Sequence, residues 1–522
     1  MLRFSRLAFR GFAVLFLLSA APPASAQVGA MEGPVLKKQT LAHLNTSLLK
    51  WYKADSKANE LQNQISGGVD TRGKKLRKSA INGLKKKAAK QRKSARKARM
   101  KFQDQFAAAG KSVGGDLLKS VPDLLAIFQG CFPYARISTT GKAKLAWINK
   151  KTKQGYAMRT PKPYSEKRPW PLVWVLPNRQ GKTWAKPMEF LEKGLPATDE
   201  KLLAGYLVGS PSFPADMELD GRLDPTKEEA QAIALSSDRI TWFWTTLKDV
   251  FYKYHVDTDR VYLSATGESI PFALRIVSMF PDRFAGLILH NPQRSDFDAA
   301  TVYGNLTGLG VFLAADDKAA EKDGPTHIDH ANKIAEGLKA AGHKAVLVEK
   351  GQGVAPFTNV LPECVTWLDK TRRNLYPRKY VLMPAHDQFR KAYWVSILEA
   401  DYLNQVAIAD RPRIEVTADP ATNKIEVKGR GVRTIVLYLN DMLVNLDKKI
   451  TLVLNGQVRE IKRRRQLSLI TNTRSGLVFL RNDPKYLFVS RYQCDLPTPK
   501  PPDDEKSGGK AAEKAGGDGG GR

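Results

Sequence analysis

The chain has 522 residues, room for three or four domains at roughly 100–200 residues each. Its 42% hydrophobic and 9% aromatic content supplies a large core and excludes a wholly disordered or fibrous protein. Against 52 Asp and Glu stand 84 Lys and Arg, a net of +32 that points to an acidic partner or surface and says nothing about fold.

Arg3, Arg6 and Arg10 precede an apolar run from Phe12 to Ala21, and Ala24-Ser25-Ala26 stands just before Gln27. This is the order of a secretory signal, so residues 1–26 are expected to be removed and the mature chain to reach the periplasm, the cell surface or the medium. The run is well short of the ~20 apolar residues a bilayer requires, and no later segment is longer, so no transmembrane segment is expected in the mature chain. Cys131, Cys364 and Cys494 allow at most one internal bridge and lack zinc-type spacing, so neither disulfides nor a structural metal should define the fold. No cofactor is expected.

Residues 27–111 are expected to form a basic helical region. From Glu32 to Lys111 there are 21 Lys and Arg against 5 Asp and Glu, a net of +16, half of the chain's excess. Leu41, Leu44, Leu48, Leu49 and Tyr52 recur at helical spacing, Gly67-Gly68 interrupts, and a second Lys- and Ala-rich run extends from Lys74 to about Ala109. That second run carries Lys85, Lys86, Lys87, Lys90, Arg92, Lys93, Arg96, Lys97, Arg99 and Lys101, cations on nearly every face and almost no apolar stripe to bury. Two readings stand side by side. One is an arm for an anionic polymer (cell-wall polymer, nucleic acid or an anionic lipid surface) with Lys85, Lys86, Lys87, Arg92, Lys93, Arg96 and Lys97 as its contacts; the other is a solvated extension. No Phe, Trp or Tyr falls between Tyr52 and Phe102 to stack on bases.

Residues 112–380 read as an α/β unit, short apolar strands alternating with helices around a mostly parallel sheet. The expected strands are Pro171–Leu176, Ala204–Gly209, Arg260–Ser264, Gly286–His290, Gly310–Ala315 and Lys344–Glu349, with helices at Trp242–Tyr254, Phe272–Phe280 and Asp329–Ala341. A connecting helix is expected over 381–410 and a small all-β domain over 411–495, with turns at Asp419-Pro420, Asn455-Gly456 and Asp483-Pro484. The tail, 496–522, is rich in Pro, Gly, Ala and charge and is expected to be disordered.

The run from Arg260 to Ser269, followed by Phe280-Pro281-Asp282-Arg283-Phe284-Ala285-Gly286-Leu287, resembles the α/β-hydrolase family in its secreted esterase and prolyl-oligopeptidase-like branch. The resemblance spans about Trp170 to Pro377, and the β unit, through Asn423–Val427 and Leu437–Asp441, looks like the C-terminal β extension of many bacterial exported esterase-like proteins. It implies a nucleophile on a strand-to-helix elbow, a histidine after the last core strand and an acid one strand earlier. Counting back from Pro281 places Gly267 at the nucleophile position, flanked by Ala265 and Ser269; a rival register puts Ser269 at the tip. Gln352, in Gly351-Gln352-Gly353, takes the place of the base, and an amide cannot accept serine's proton. Asp316 and Asp317 occupy the acid position, where turn carboxylates are also common, and Pro177 follows Leu176 where an N–H donor to an oxyanion is expected. His327 and His330 are three apart near a helix start, a spacing more typical of exposed histidines than of a metal site.

The sequence thus leads to an exported α/β-hydrolase-fold protein whose catalytic positions are degenerate, binding an anionic polymer or a protein partner. The alternative is a secreted serine esterase or peptidase that uses Ser269.

Overall fold

A computed structural model describes residues 34–497 apart from 71–73, 132–133, 135, 138–140, 177–203, 214–228, 297–298, 307, 319–323, 351–359, 404–405, 407–409, 472–482 and 484–486. The expected signal peptide, residues 498–522 of the tail, Pro177 and Gln352 all lie outside the described residues; Leu496, the first residue of the expected tail, is buried in the core of the β unit.

Two long helices, α1 (Lys38–Gly67) and α2 (Lys78–Ser112), open the described chain and are followed by α3 (Val121–Gly130). Trp51 meets Phe102 at 6.0 Å between ring centroids, and Gln62 accepts from Arg92 at 2.8 Å, so α1 and α2 run antiparallel. α2 does have a buried stripe, contrary to the sequence expectation. Ala88, Ala95, Phe102 and Ala109 recur every seven residues and are all buried, with Phe106 beside them. On α1, Leu44, Leu48, Trp51, Ala58 and Leu61 supply the facing seam. Three of the four seam positions on α2 are alanines, so the stripe is narrow and leaves little apolar signal among the lysines.

The α/β body is an eight-stranded sheet in the order β1-β2-β4-β3-β5-β6-β7-β8. Its strands are β1 (Ala143–Asn149), β2 (Gln154–Arg159), β3 (Trp170–Val175), β4 (Leu207–Pro211), β5 (Val256–Thr266), β6 (Gly286–His290), β7 (Gly310–Asp316) and β8 (Ala345–Lys350). β1 and β2 pair antiparallel and β2 pairs antiparallel with β4; every pairing from β4 to β8 is parallel. The expected mostly parallel sheet of an α/β unit is therefore present, with β1 and β2 as strands the sequence pattern did not reveal.

Along β5, Val261, Leu263 and Ala265 point into one core with α4 (Glu229–Lys253), α5 (Ile270–Met279), α6 (Ala299–Gly304) and α7 (His327–Ala340). Tyr262 points the other way, into a second core closed by α8 (Leu361–Lys370). Burial on both faces is why these strands read as continuous apolar runs. Gly286 and Gly310, paired across β6 and β7, leave room for Trp367 of α8: a Cβ at Gly286 would lie 2.4 Å from its ring.

No connecting helix is present among the described residues of 381–410. That stretch holds strand β10 (Lys391–Ala392), strand β11 (Val395–Ala400) and the end of β9 (Lys379–Leu382). Pro377 and Pro384 bracket β9, and Val395 and Ile397 alternate inward, so the period is two and not 3.6. The β unit continues with β12 (Arg413–Asp419), β13 (Lys424–Arg430), β14 (Val432–Leu439), β15 (Ile450–Leu454), β16 (Gln457–Ile461), the short α9 (Leu467–Thr471) and β17 (Ser490–Asp495). They form a five-stranded sheet, β16-β15-β13-β12-β9, and a four-stranded sheet, β10-β11-β14-β17. Asn455-Gly456 makes the expected tight turn between β15 and β16, both residues at positive φ (46° and 84°).

The helical hairpin and the β unit share one core. Leu48, Phe102 and Phe128 belong to the same buried cluster as Tyr380, Trp394 and Ile435, and Lys119 pairs with Asp447 at 2.5 Å. The basic region is thus docked on a platform more than 250 residues away in sequence. The three cysteines are all buried and unbridged.

Candidate functional site

β5 ends at Thr266, a one-turn 3-10 segment covers Gly267–Ser269, and α5 starts at Ile270 with Pro271 in its first turn. Gly267, the first residue of that turn, stands at φ +54°, the left-handed region where a side chain is strained. Ser269 lies buried on the inner side. Its hydroxyl donates to the Thr266 carbonyl at 2.9 Å and accepts from the Thr266 N–H at 3.0 Å, closing the turn on itself. A hydroxyl engaged in both directions holds the elbow's shape. The exposed side chain of the turn is that of Glu268.

Gly267→Ser is expected to lower stability by about 1 kcal/mol, the cost of placing a side chain at that φ. Urea denaturation of the two proteins measures it; an unchanged or raised midpoint would show that the turn has no need of glycine.

Asp316 is buried at the end of β7, two strands from the elbow. It accepts from Asn291 Nδ2 at 3.0 Å and from the Lys318 N–H at 3.3 Å, and its own N–H donates to Asn291 Oδ1 at 3.1 Å. His327 Nε2 lies 4.0 Å from its Oδ1, and His327 Nδ1 donates to the Pro292 carbonyl at 3.1 Å. His330 Nδ1 lies 3.1 Å from the Ser295 hydroxyl. The two histidines of α7 therefore bind the loop after β6 to the helix, which gives their spacing a structural use. Asp317 is exposed. Among the described residues no group of three or more His, Cys, Asp or Glu side chains is arranged to hold a metal ion.

Two residues of this edge went unremarked in the sequence. His290 ends β6 opposite Thr266 and is fully buried, and burial pushes its imidazole down to about 4. Asn291 follows at φ +48°, a conformation asparagine tolerates better than most residues. The Asn-Pro pair directly after a strand was the available signal.

His290 sets a pH dependence. In the unfolded chain it takes up a proton near its ordinary value of 6.5, whereas the folded protein refuses one until about 4. Its contribution is fully present above 6.5 and is lost as pH falls through that window, up to about 3 kcal/mol. Urea midpoints at pH 7 and pH 4.5 should separate less in His290→Gln than in the parent; equal separations would place the effect elsewhere.

The second candidate surface is α2. Lys85, Lys86, Lys87, Arg92, Lys93, Arg96 and Lys97 are all exposed, and none forms an ion pair with a carboxylate among the described residues. Because Ala88 and Ala95 fix the buried side, these cations are held on a rigid rod of about 18 Å from Lys85 to Lys97.

No family model matches the sequence, and no curated protein matches it. Among solved structures, the chain is similar to a thermostable esterase (15% identity, 44% of this chain and 63% of that one, TM-score 0.31). It is also similar to a ferulic acid esterase (14% identity, 44% and 98%, TM-score 0.33) and to the BES protein from Bacillus cereus (15% identity, 45% and 96%, TM-score 0.33). The chain spans somewhat less than two thirds of the first of these. No residue role follows from these likenesses. No helix among the described residues is long and apolar enough to cross a membrane.

Proposed function

We propose that this is an exported, non-catalytic protein of α/β-hydrolase-like fold that binds an anionic polymer along the cationic face of α2. The observation that carries this reading is the set of seven exposed cations, none with a carboxylate partner among the described residues, on a helix anchored by its alanine seam. Such a surface recruits a polyanion by releasing its counterions, without reading its sequence. Loss of catalysis is supported by glycine as the first residue of the elbow turn and by Ser269 bonded within its own turn. Gln352 at the position of the base belongs to the same reading, since an amide does not take up a proton near neutral pH.

The mature protein should turn over p-nitrophenyl acetate and butyrate no faster than buffer, and Ser269→Ala should change nothing. It should nevertheless be retained on heparin and be released as salt rises. Ester turnover that Ser269→Ala abolishes would replace this reading with a serine hydrolase, and absence of retention at low salt would remove the polymer.

A further inference from the structure

A cavity of about 330 Å³ opens at the end of the sheet remote from the elbow. The elbow follows β5, whereas this cavity is bordered by Thr258 near the start of β5 and by Phe280 and Arg283 just before β6. One face of α4 forms a wall, with Trp244, Thr245, Lys248 and Phe251, and Phe389 of the β9–β10 connection closes the other side. The rings meet edge to face: Trp244 and Phe280 at 4.8 Å and 77°, Phe280 and Phe389 at 4.9 Å and 61°. Half-buried aromatics around a concavity of this size form the kind of lining that small-molecule sites have.

The polar groups divide into two sets. At the floor, Arg373 and Arg283 are tied to Asp483, Asp259 and Asp282, a closed network with its charges paired inside the protein. At the rim, Lys248 is exposed and pairs with no carboxylate among the described residues. An apolar, ring-lined interior with one unpaired cation at its mouth is complementary to a molecule with an aromatic body and a single negative charge.

We propose that this cavity binds a small aromatic monoanion, such as an aryl carboxylate, with its ring among Trp244, Phe251, Phe280 and Phe389 and its charge at Lys248. The site is independent of the polymer surface on α2 and of the elbow. Its place between α4 of the body and the start of the β unit also lets occupancy stiffen that junction.

Isothermal titration calorimetry of the full mature chain with 2-naphthoate, at about 0.15 M salt to screen the exposed basic helix, tests it. One site with a dissociation constant below about 1 mM is expected, in line with the efficiency of small ligands. Lys248→Met should weaken binding about tenfold, and Thr245→Trp, which fills the cavity, should abolish it, both with unchanged circular dichroism. The neutral 2-naphthalenemethanol should bind the parent about tenfold more weakly than the acid, and octanoate should not displace it. Undiminished binding in Thr245→Trp would overturn the site, equal affinity in Lys248→Met would overturn the charge at its mouth, and displacement by octanoate at similar concentration would overturn the aromatic requirement. Should Thr245→Trp fail to fold, Trp244→Ala, which removes a ring and leaves space, gives the same comparison with the same expected loss.

Discussion

Replacing Lys85, Lys86, Lys87, Arg92, Lys93, Arg96 and Lys97 with Gln is expected to weaken polyanion binding by about 10³-fold near 0.1 M salt. The fold should persist, because all seven are exposed and the seam of Ala88, Ala95, Phe102 and Ala109 is untouched. Glutamine has a helix propensity close to that of lysine and arginine, so α2 itself should be little affected. The size of the loss follows from counterion release, in which each neutralised polymer charge contributes roughly 0.9 to the slope of log affinity against log salt for duplex DNA. If four to six of the seven cations contact the polymer and about one contact comes from elsewhere on the protein, the parent slope should be about −4.5 to −6, and that of the variant about −1. Fluorescence titration with a labelled oligonucleotide and with a sulfated oligosaccharide, each at several salt concentrations, measures both quantities. An unaltered slope would move binding away from α2.

The other basic run, Arg459 with Lys462 to Arg465, has less capacity to replace it. Arg465 is buried against Asp441 and Asp447, and its neighbour Arg463 donates to the Arg491 carbonyl at 2.5 Å while lying 5.3 Å from the Tyr492 ring. Two of the four cations from Lys462 to Arg465 are thereby structural. In the sequence the two basic runs look alike; in the fold, α2 projects its charge outward and the β unit spends part of its charge on packing.

What was legible in the sequence depended on whether each element carried its own period. Gly286–His290 is legible to the residue because both its faces are buried and the apolar run is unbroken, and the other parallel strands, β8 with its exposed Val346 among them, are legible to within a few residues. β1 is not: Ala143–Asn149 lies at a sheet edge with no fully buried residue, and its short Leu145–Ile148 apolar run follows the exposed Lys144 without a period of two. Over 381–410 the sequence leads to an expected helix, yet the strands there are short and separated by turns, so no helical face accumulates. The docking of the basic hairpin onto the β unit has no local signature at all. Leu48 and Phe102 meet Trp394 and Ile435 in one core only through the tertiary fold. At the strand-to-helix turn, the positive φ of Gly267 and the hydroxyl of Ser269, bonded at both ends to Thr266, could be known only from coordinates.

The Arg373 network belongs to the same class of long-range contact, and breaking it should have the largest effect on stability. Arg373 is buried and holds Asp483 through two bonds, 2.6 and 3.0 Å, Asp259 at 3.0 Å and the Asp282 carbonyl at 2.9 Å. It thus joins the segment before β17 to the start of β5 and the turn before β6. Burial by itself would raise the Asp483 carboxyl, but the Arg373 guanidinium outweighs it and keeps the group below the ordinary carboxylate value. Arg373→Met should cost about 3–5 kcal/mol, most of it the penalty of leaving Asp483 buried and ionised with only the longer Arg283 contact, 3.3 Å, in place of its two bonds to Arg373. The sign of the pH dependence separates this cause from a simple packing loss. In the parent, the Asp483 contribution is present above the unfolded carboxylate value and is lost as pH falls through the lower folded one. In Arg373→Met the folded value moves above the unfolded one, so the variant's deficit should be greatest near pH 7 and shrink as the pH falls toward 4. The double variant Arg373→Met with Asp483→Leu should recover at least half of the loss at pH 7, since no buried charge is then stranded there. Guanidinium denaturation of the three proteins across that pH range provides the measurement; a deficit independent of pH and unrelieved in the double variant would mean that Arg373 acts through its packing and not through its charge.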